Sequence, residues 1–274
     1  MSSIQAHNLT LSYGQKAIFN NLDLLVPPGK ITVFIGSNGC GKSTLLRSLA
    51  RLLKPQEGSI LLDGTEIAKL SSKEIARRLA ILPQGPIAPE GLTVHQLVKQ
   101  GRYPYQSWLQ QWSHEDEKMV KKALEVTHMD ELSSRSVDSL SGGQRQRAWI
   151  AMTLAQNTKT ILLDEPTTYL DMTHQIEILD LLFDLNEQEG RTIVMVLHDI
   201  NLACRYAHHI VAVKDGRIYA QGKPEAIMNE QLIRAVFDME CQVTADPIFG
   251  TPLCIPYGKG RKLPIKQSQV MTHA

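Results

Sequence analysis

Nine consecutive residues, Gly36-Ser37-Asn38-Gly39-Cys40-Gly41-Lys42-Ser43-Thr44, have the form G-x-x-x-x-G-K-S, a spacing suited to holding a polyphosphate. Gly36, Gly39 and Gly41 let the backbone curl until its N–H groups point inward at phosphate oxygens. Lys42 supplies a full positive charge near the terminal phosphates, and the Ser43 hydroxyl is a ligand for Mg²⁺. The plain alternative is an ordinary strand–turn–helix connection that happens to carry a lysine. A second constellation is Asp164-Glu165, at the end of the apolar run Thr160-Ile161-Leu162-Leu163. At the carboxyl end of a parallel strand Asp164 could hold Mg²⁺ through its water shell, while Glu165 could polarise an attacking water. A solvated acidic turn is the competing reading. His198 closes another apolar run and could bond a terminal phosphate; alone it would more often be a satisfied core histidine, but it shares its sheet edge with the two acids. Ser141-Gly142-Gly143-Gln144 opens a helix with a capping serine and two glycines. It reads either as a second anion-binding helix start, without a lysine, or as a well-capped helix and nothing more.

These residues require strands that end at one edge of a sheet. Residues 31–35 form the apolar strand before the glycine loop, and residues 45–50 begin a helix after it. Residues 4–11 and 22–26 read as antiparallel strands around a turn at Gly14-Gln15, with Tyr13 beside that turn. Tyr13 either stacks on a purine or packs in the sheet. A strand is expected over residues 58–62, then a helix capped by Ser72 that runs to Leu79, and a short strand over residues 80–83 ending in Gln84. Residues 85–140 change character, with a loop marked by Pro86, Pro89 and Gly91 and helices over residues 93–100, 115–127 and 130–133. Between them lies an aromatic-rich loop containing Tyr103, Tyr105 and Trp108. This block reads as a helical insertion into an α/β core. Further on, an amphipathic helix spans residues 173–189, strands 192–197, 210–213 and 217–219 follow, and helices lie within 224–237. Residues 246–264 are rich in Pro and Gly, and a frayed tail is expected from Gln267.

Of the 274 residues 43% are hydrophobic, enough for a substantial core and incompatible with wholesale disorder. A net charge of +1 with interspersed signs gives no footprint for nucleic acid. The four cysteines, Cys40, Cys204, Cys241 and Cys254, have no paired metal-ligand spacing, and a reducing compartment is expected. No charged-then-apolar leader is read at the start, and no apolar run approaches the roughly 20 residues of a membrane-spanning helix.

Taken together, the pieces resemble the ATP-binding-cassette (ABC) ATPases over about residues 2–245. The Walker A loop is Gly36, Asn38, Gly39, Cys40, Gly41, Lys42, Ser43 and Thr44. The Q-loop is Gln84, the signature is Leu140 with Ser141, Gly142, Gly143 and Gln144, and Walker B is residues 161–164 followed by the catalytic Glu165. The D-loop is Tyr169-Leu170-Asp171, the switch histidine is His198, and the aromatic A-loop falls at Tyr13, favouring the adenine stacker. The resemblance implies an α/β P-loop NTPase core of RecA type, formed with an N-terminal antiparallel β-subdomain by residues 1–84 and 150–245. A helical subdomain at about 85–149 and an extension and tail at 246–274 would complete it. It further implies a homodimer that sandwiches two Mg-ATP between the Walker A loop of one copy and the signature of the other. In that arrangement Glu165 is the general base or water-orienting group, His198 the γ-phosphate clamp, Lys42 and Gln84 catalytic partners, Ser43, Gln84 and Asp164 the Mg²⁺ set, and Asp171 part of the nucleotide site. Ser37 stands where the family commonly has proline, and Tyr169 where a small residue is usual; neither removes a catalytic group.

Gly101-Arg102-Tyr103-Pro104, and residues 166–171 followed by His174-Gln175, are similar to the ATPases of ferric-siderophore importers. That resemblance implies two ATPase chains on the cytoplasmic face of a membrane, two permease subunits and an extracytoplasmic substrate-binding protein, with residues 84–108 as the permease dock. Vitamin B12, haem or another metal chelate are the alternative cargoes. A soluble ABC ATPase of DNA repair or translation is the competing class, disfavoured by the single cassette and the lack of a long heptad block. An exporter half would carry fused membrane helices.

Overall fold

The computed structural model of the protein describes residues 3–13, 16–107 and 112–259; the side chains of Tyr13 and Lys16 are outside that description, as are Trp108 and Leu109. The elements run β1 (Ile4–Tyr13), β2 (Lys16–Val26), β3 (Ile31–Ile35), α1 (Lys42–Leu49), β4 (Glu57–Leu62), β5 (Thr65–Glu66), α2 (Ser72–Ala76) and β6 (Leu79–Leu82). Then come α3 (Val94–Gln100), α4 (His114–Val126), α5 (Gly142–Ala155), β7 (Thr160–Leu163), α6 (Met172–Glu189), β8 (Thr192–Val196) and α7 (Ile200–Tyr206). The chain closes with β9 (His209–Lys214), β10 (Arg217–Gly222), α8 (Pro224–Ile227), α9 (Glu230–Phe237), β11 (Cys241–Ala245) and β12 (Pro252–Pro256).

The central sheet has the order β10-β9-β3-β8-β7-β6, parallel from β9 to β6, with β10 antiparallel at one edge. Its inner strands are buried on both faces, as parallel strands under crossover helices must be. Alternate residues serve two cores. Phe34, Leu162, Val194, Val196, Val211 and Val213 face α1 and the antiparallel sheet β2-β1-β4-β5. Val33, Ile35, Ile161, Leu163, Ile193 and Met195 face the helices, including α3, α4 and α5. On α1, Leu45, Leu46 and Leu49 are fully buried, each worth about 1.5–3 kcal/mol of transfer free energy. That burial, more than any cap, fixes the helix behind the glycine loop, because its N-cap Gly41 supplies no side-chain bond.

The helical segment is tied down by a buried pair. Arg102 Nε donates to Asp116 Oδ1 at 2.8 Å, and Arg102 Nη1 donates to the Ala155 carbonyl at 2.8 Å. Burial pushes the Asp116 carboxyl up, but the Ser113 hydroxyl and Arg102 outweigh it and hold it below the usual range.

Three expectations are corrected. The helix capped near Ser72 does not reach Leu79: Ser71 is the cap, the helix ends at Ala76, and Leu79 opens β6 opposite Thr160. Residues 130–133 form a bend and tight turns instead of a helix: Ser133 N donates to Asp130 O and Arg135 N to Leu132 O, while the Ser133 carbonyl accepts from His95 N. Residues 241–256, which include the start of the Pro/Gly-rich stretch 246–264 and for which no element was expected, form the hairpin β11–β12 against α7 and α9. The expected boundaries at 149/150 and 245/246 fall inside α5 and at the turn of this hairpin.

Candidate functional site

Strands β3, β8, β7 and β6 are parallel neighbours, so their carboxyl ends meet at one edge. The chain leaves those ends at Gly36, Leu197-His198, Asp164-Glu165 and Pro83-Gln84. Topology alone therefore gathers most of the residues chosen for their chemistry.

The loop after β3 admits no side chains where it bends. A Cβ on Gly36 would lie 2.2 Å from the Val213 carbonyl oxygen. Gly41 has φ +106°, and its Cβ would lie 2.6 Å from the Phe19 ring. Lys42 is buried, and its Nζ donates to the carbonyls of Gly36 at 2.8 Å and Ser37 at 2.9 Å. Its charge is thus held inside the curl of the loop, while Asn38 and Gly39 lie exposed at the rim.

Ser43 Oγ donates to Asp164 Oδ1 at 2.7 Å, and Arg47 Nε lies 3.5 Å from Asp164 Oδ2. Asp164 is 1% exposed, and burial raises its carboxyl above the ordinary value against the opposing pull of Ser43 and Arg47. Its Oδ2 is buried without a hydrogen-bond partner. A hydroxyl beside a buried carboxylate with one oxygen free of hydrogen bonds is the hard-oxygen donor set that Mg²⁺ takes. Ser43 and Asp164 fit that ion, which would supply charge neutralisation at the phosphates.

Glu165 is the most constrained acid of the site. It has φ +54°, a conformation that costs a non-glycine residue about 1–3 kcal/mol and points to outside constraint. Its Oε1 lies 2.7 Å from His198 Nε2. Its Oε2 accepts from Gln84 Nε2 at 2.7 Å and from Thr168 Oγ1 at 2.9 Å. Gln84 and His198, each named from the end of a different strand, converge on this carboxylate. Thr168 and Arg47 were not anticipated. The available signals were a threonine three residues after an acid in a turn, and an arginine one helical turn after Ser43 on the same face.

The second helix start is built differently. Ser141 caps α5 in a reciprocal box: Gln144 N donates to Ser141 Oγ at 3.3 Å, and Ser141 N donates to Gln144 Oε1 at 3.1 Å. Ser141 and Gly142 are exposed, and Gly143 is buried. Among the described residues, no hydrogen bond or ion pair joins residues 141–144 to residues 36–44. Asp171 caps α6, accepting from His174 N at 3.0 Å and from the His174 ring at 2.8 Å. Tyr169 beside it is 93% exposed. Tyr13 lies at the end of β1, and its side chain is outside the described residues.

The family model described as ABC transporter matches residues 19–168. The chain is 71% identical to the "Probable siderophore transport system ATP-binding protein YusV" of Bacillus subtilis, over 95% of each chain. It is 69% identical to the petrobactin import ATP-binding protein FpuD of Bacillus anthracis, over 95% of this chain and 96% of that one. Among solved structures, the dimeric bacterial ABC transporter cassette MJ0796 is similar at TM-score 0.71 and 31% identity, covering 80% of this chain and 98% of the cassette. The same cassette is also known as a dimer in a post-hydrolysis state with ADP and Pi. The chain described here belongs to the ABC transporter family, among its ATP-binding, ATP-hydrolysing subunits.

Proposed function

We propose that this ATPase energises import of ferric-siderophore complexes, working as a homodimer that closes around two Mg-ATP. The observation that carries the catalytic part is the clustering of Gln84, Glu165 and His198 next to Ser43–Asp164, on a loop that buries Lys42. Lys42 and the N–H groups of the loop, those of Asn38, Cys40 and Thr44 included, hold the phosphates. Ser43, Asp164 and the Gln84 amide oxygen hold Mg²⁺, and Tyr13 stacks on the adenine. Glu165 orients or deprotonates the attacking water, and His198 steadies the γ-phosphate. Ser141, Gly142, Gly143, Gln144 and Asp171 complete the site of the opposing copy. The catalytic core would comprise residues 1–84 and 150–245, with the helical subdomain at about 85–149.

Permease contact is assigned to the loop after Gln84. Ile87 is 91% exposed and Tyr103 70% exposed, whereas Tyr105 is held by Arg102 over its ring and by a bond from its hydroxyl to the Gln156 carbonyl. An exposed isoleucine before α3 and an exposed tyrosine after it suit a partner groove. Among the described residues no helix is long and apolar enough to cross a membrane. Membrane attachment would therefore come through two permease subunits at the cytoplasmic face, with cargo delivered by an extracytoplasmic binding protein.

Cargo identity is supported by the names of the two relatives. The test is ATPase activity of the reconstituted transporter with its binding protein. Stimulation by a ferric siderophore, and not by vitamin B12 or haem, is expected. Stimulation by B12 or haem alone would overturn the siderophore assignment.

A further inference from the structure

His174 sits one turn into α6, outside the residues assigned to nucleotide or metal, yet it touches two of them. Its ring nitrogen Nδ1 lies 2.8 Å from both carboxylate oxygens of Asp171. An ionised carboxylate only accepts, so Nδ1 carries the proton and donates. The Asp171 carboxyl is held below the usual range by the His174 backbone N–H and by this ring. The other edge of the ring covers the signature helix start. A Cβ on Gly143 would lie 2.5 Å from His174 Cδ2 and 2.8 Å from Cγ. A side chain at residue 143 would therefore have to displace the His174 ring within a single copy of the chain. Beside it, Gln175 Nε2 donates to the Leu170 carbonyl at 2.9 Å, and the Leu170 side chain lies 3.9 Å from the position of a Cβ on Gly142.

We propose that His174 is a positioning residue that locks the signature helix start and the Asp171 carboxylate into one rigid unit, so that both meet the opposing copy in a fixed relative geometry. This rests on the composite-site reading above. One ring supplies both constraints: its N–H fixes Asp171, and its carbon edge fixes the approach of α5 to α6. An alanine at 174 leaves Asp171 with only backbone donors and leaves space over Gly143. A glutamine keeps an N–H donor of similar reach and much of the volume.

The test compares Glu165→Gln alone with Glu165→Gln/His174→Ala and Glu165→Gln/His174→Gln in ATP-driven dimerisation, measured by light scattering. Binding of a fluorescent ATP analogue to dilute monomer and the thermal midpoint are read alongside. Losing a charge-assisted bond weakens an equilibrium by about tenfold or more. His174→Ala should therefore require roughly tenfold more protein to dimerise and lower kcat about tenfold in the otherwise wild-type chain. Monomer nucleotide affinity and thermal midpoint should stay unchanged, and His174→Gln should recover most of the loss. If Glu165→Gln dimerises and His174→Ala changes neither dimerisation nor kcat, the positioning role is overturned. It is also overturned if dimerisation falls only in step with the thermal midpoint and glutamine does not rescue. If Glu165→Gln itself does not dimerise with ATP, the composite-site reading fails instead.

Discussion

The two helix starts proposed to meet phosphate, at α1 and α5, share a principle and differ in completeness. Both present unpaired backbone N–H groups at the positive end of a helix. At α1 the loop is packed from outside by Phe19 and Val213, and a buried ammonium sits within it. Two side chains of its first turns, Ser43 and Arg47, reach the acid of the next strand but one. At α5 the start is exposed and capped by its own reciprocal box, it has no lysine, and its Arg145 guanidinium is turned back onto the Asp138 and Leu140 carbonyls. The difference fits the proposed division of labour, with one start holding the nucleotide and the other closing over that of an opposing copy. The buried ammonium and the Ser43–Asp164 pair lie at the α1 loop, whereas the α5 start is exposed.

The contrast can be sharpened most strongly at the acid between the two regions. Glu165→Gln should keep ATP binding while lowering kcat by about 10³-fold, in the range for loss of a general base, as read by phosphate release. Next, Lys42→Ala and Ser141→Arg should separate cleanly. Lys42→Ala should weaken nucleotide binding to the monomer by about a hundredfold, the scale of a lost charge-assisted contact. Ser141→Arg should leave monomer binding unchanged and lower kcat by a comparable factor. Equal loss of monomer binding in both would erase the distinction between the helix starts.

A smaller effect is expected at Thr168. Thr168→Val should lower kcat about tenfold, with Thr168→Ser near wild type, because only one of three donors to Glu165 is lost. The smallest is a stability effect at Asp164. Burial raises its folded-state carboxyl above the unfolded value, so the ionised group costs stability above the unfolded value, and that cost fades as pH falls through the raised folded value. Asp164→Asn should therefore raise the thermal midpoint of nucleotide-free protein at pH 7.5 by about 2–4 °C, with the gain shrinking toward lower pH, while Mg²⁺-dependent hydrolysis is lost.

Much of this site was legible in sequence because each strand announces its carboxyl end. A buried apolar run followed at once by Gly36, Gln84, Asp164-Glu165 or His198 has one reasonable geometry in a parallel sheet. What escaped lacks a periodic signal. Thr168 bonds through a local turn, and His174, noted in sequence only as part of a family resemblance, gave no sign that its ring lies against a helix thirty residues earlier. The helix expected over residues 130–133 failed because four residues barely exceed a helix nucleus, and the segment closes tight turns on itself while α3 takes the Ser133 carbonyl. The hairpin β11–β12 was hidden because its strands are short and half exposed, and their partners are defined only after α7 and α9 are in place.

The most direct measurement is the solution mass and nucleotide content of the Glu165→Gln protein at saturating Mg-ATP. The expected result is two chains holding two ATP, with the pairing abolished by adding either Lys42→Ala or Ser141→Arg. A single chain retaining one ATP under conditions where the wild type hydrolyses at full rate would contradict the account.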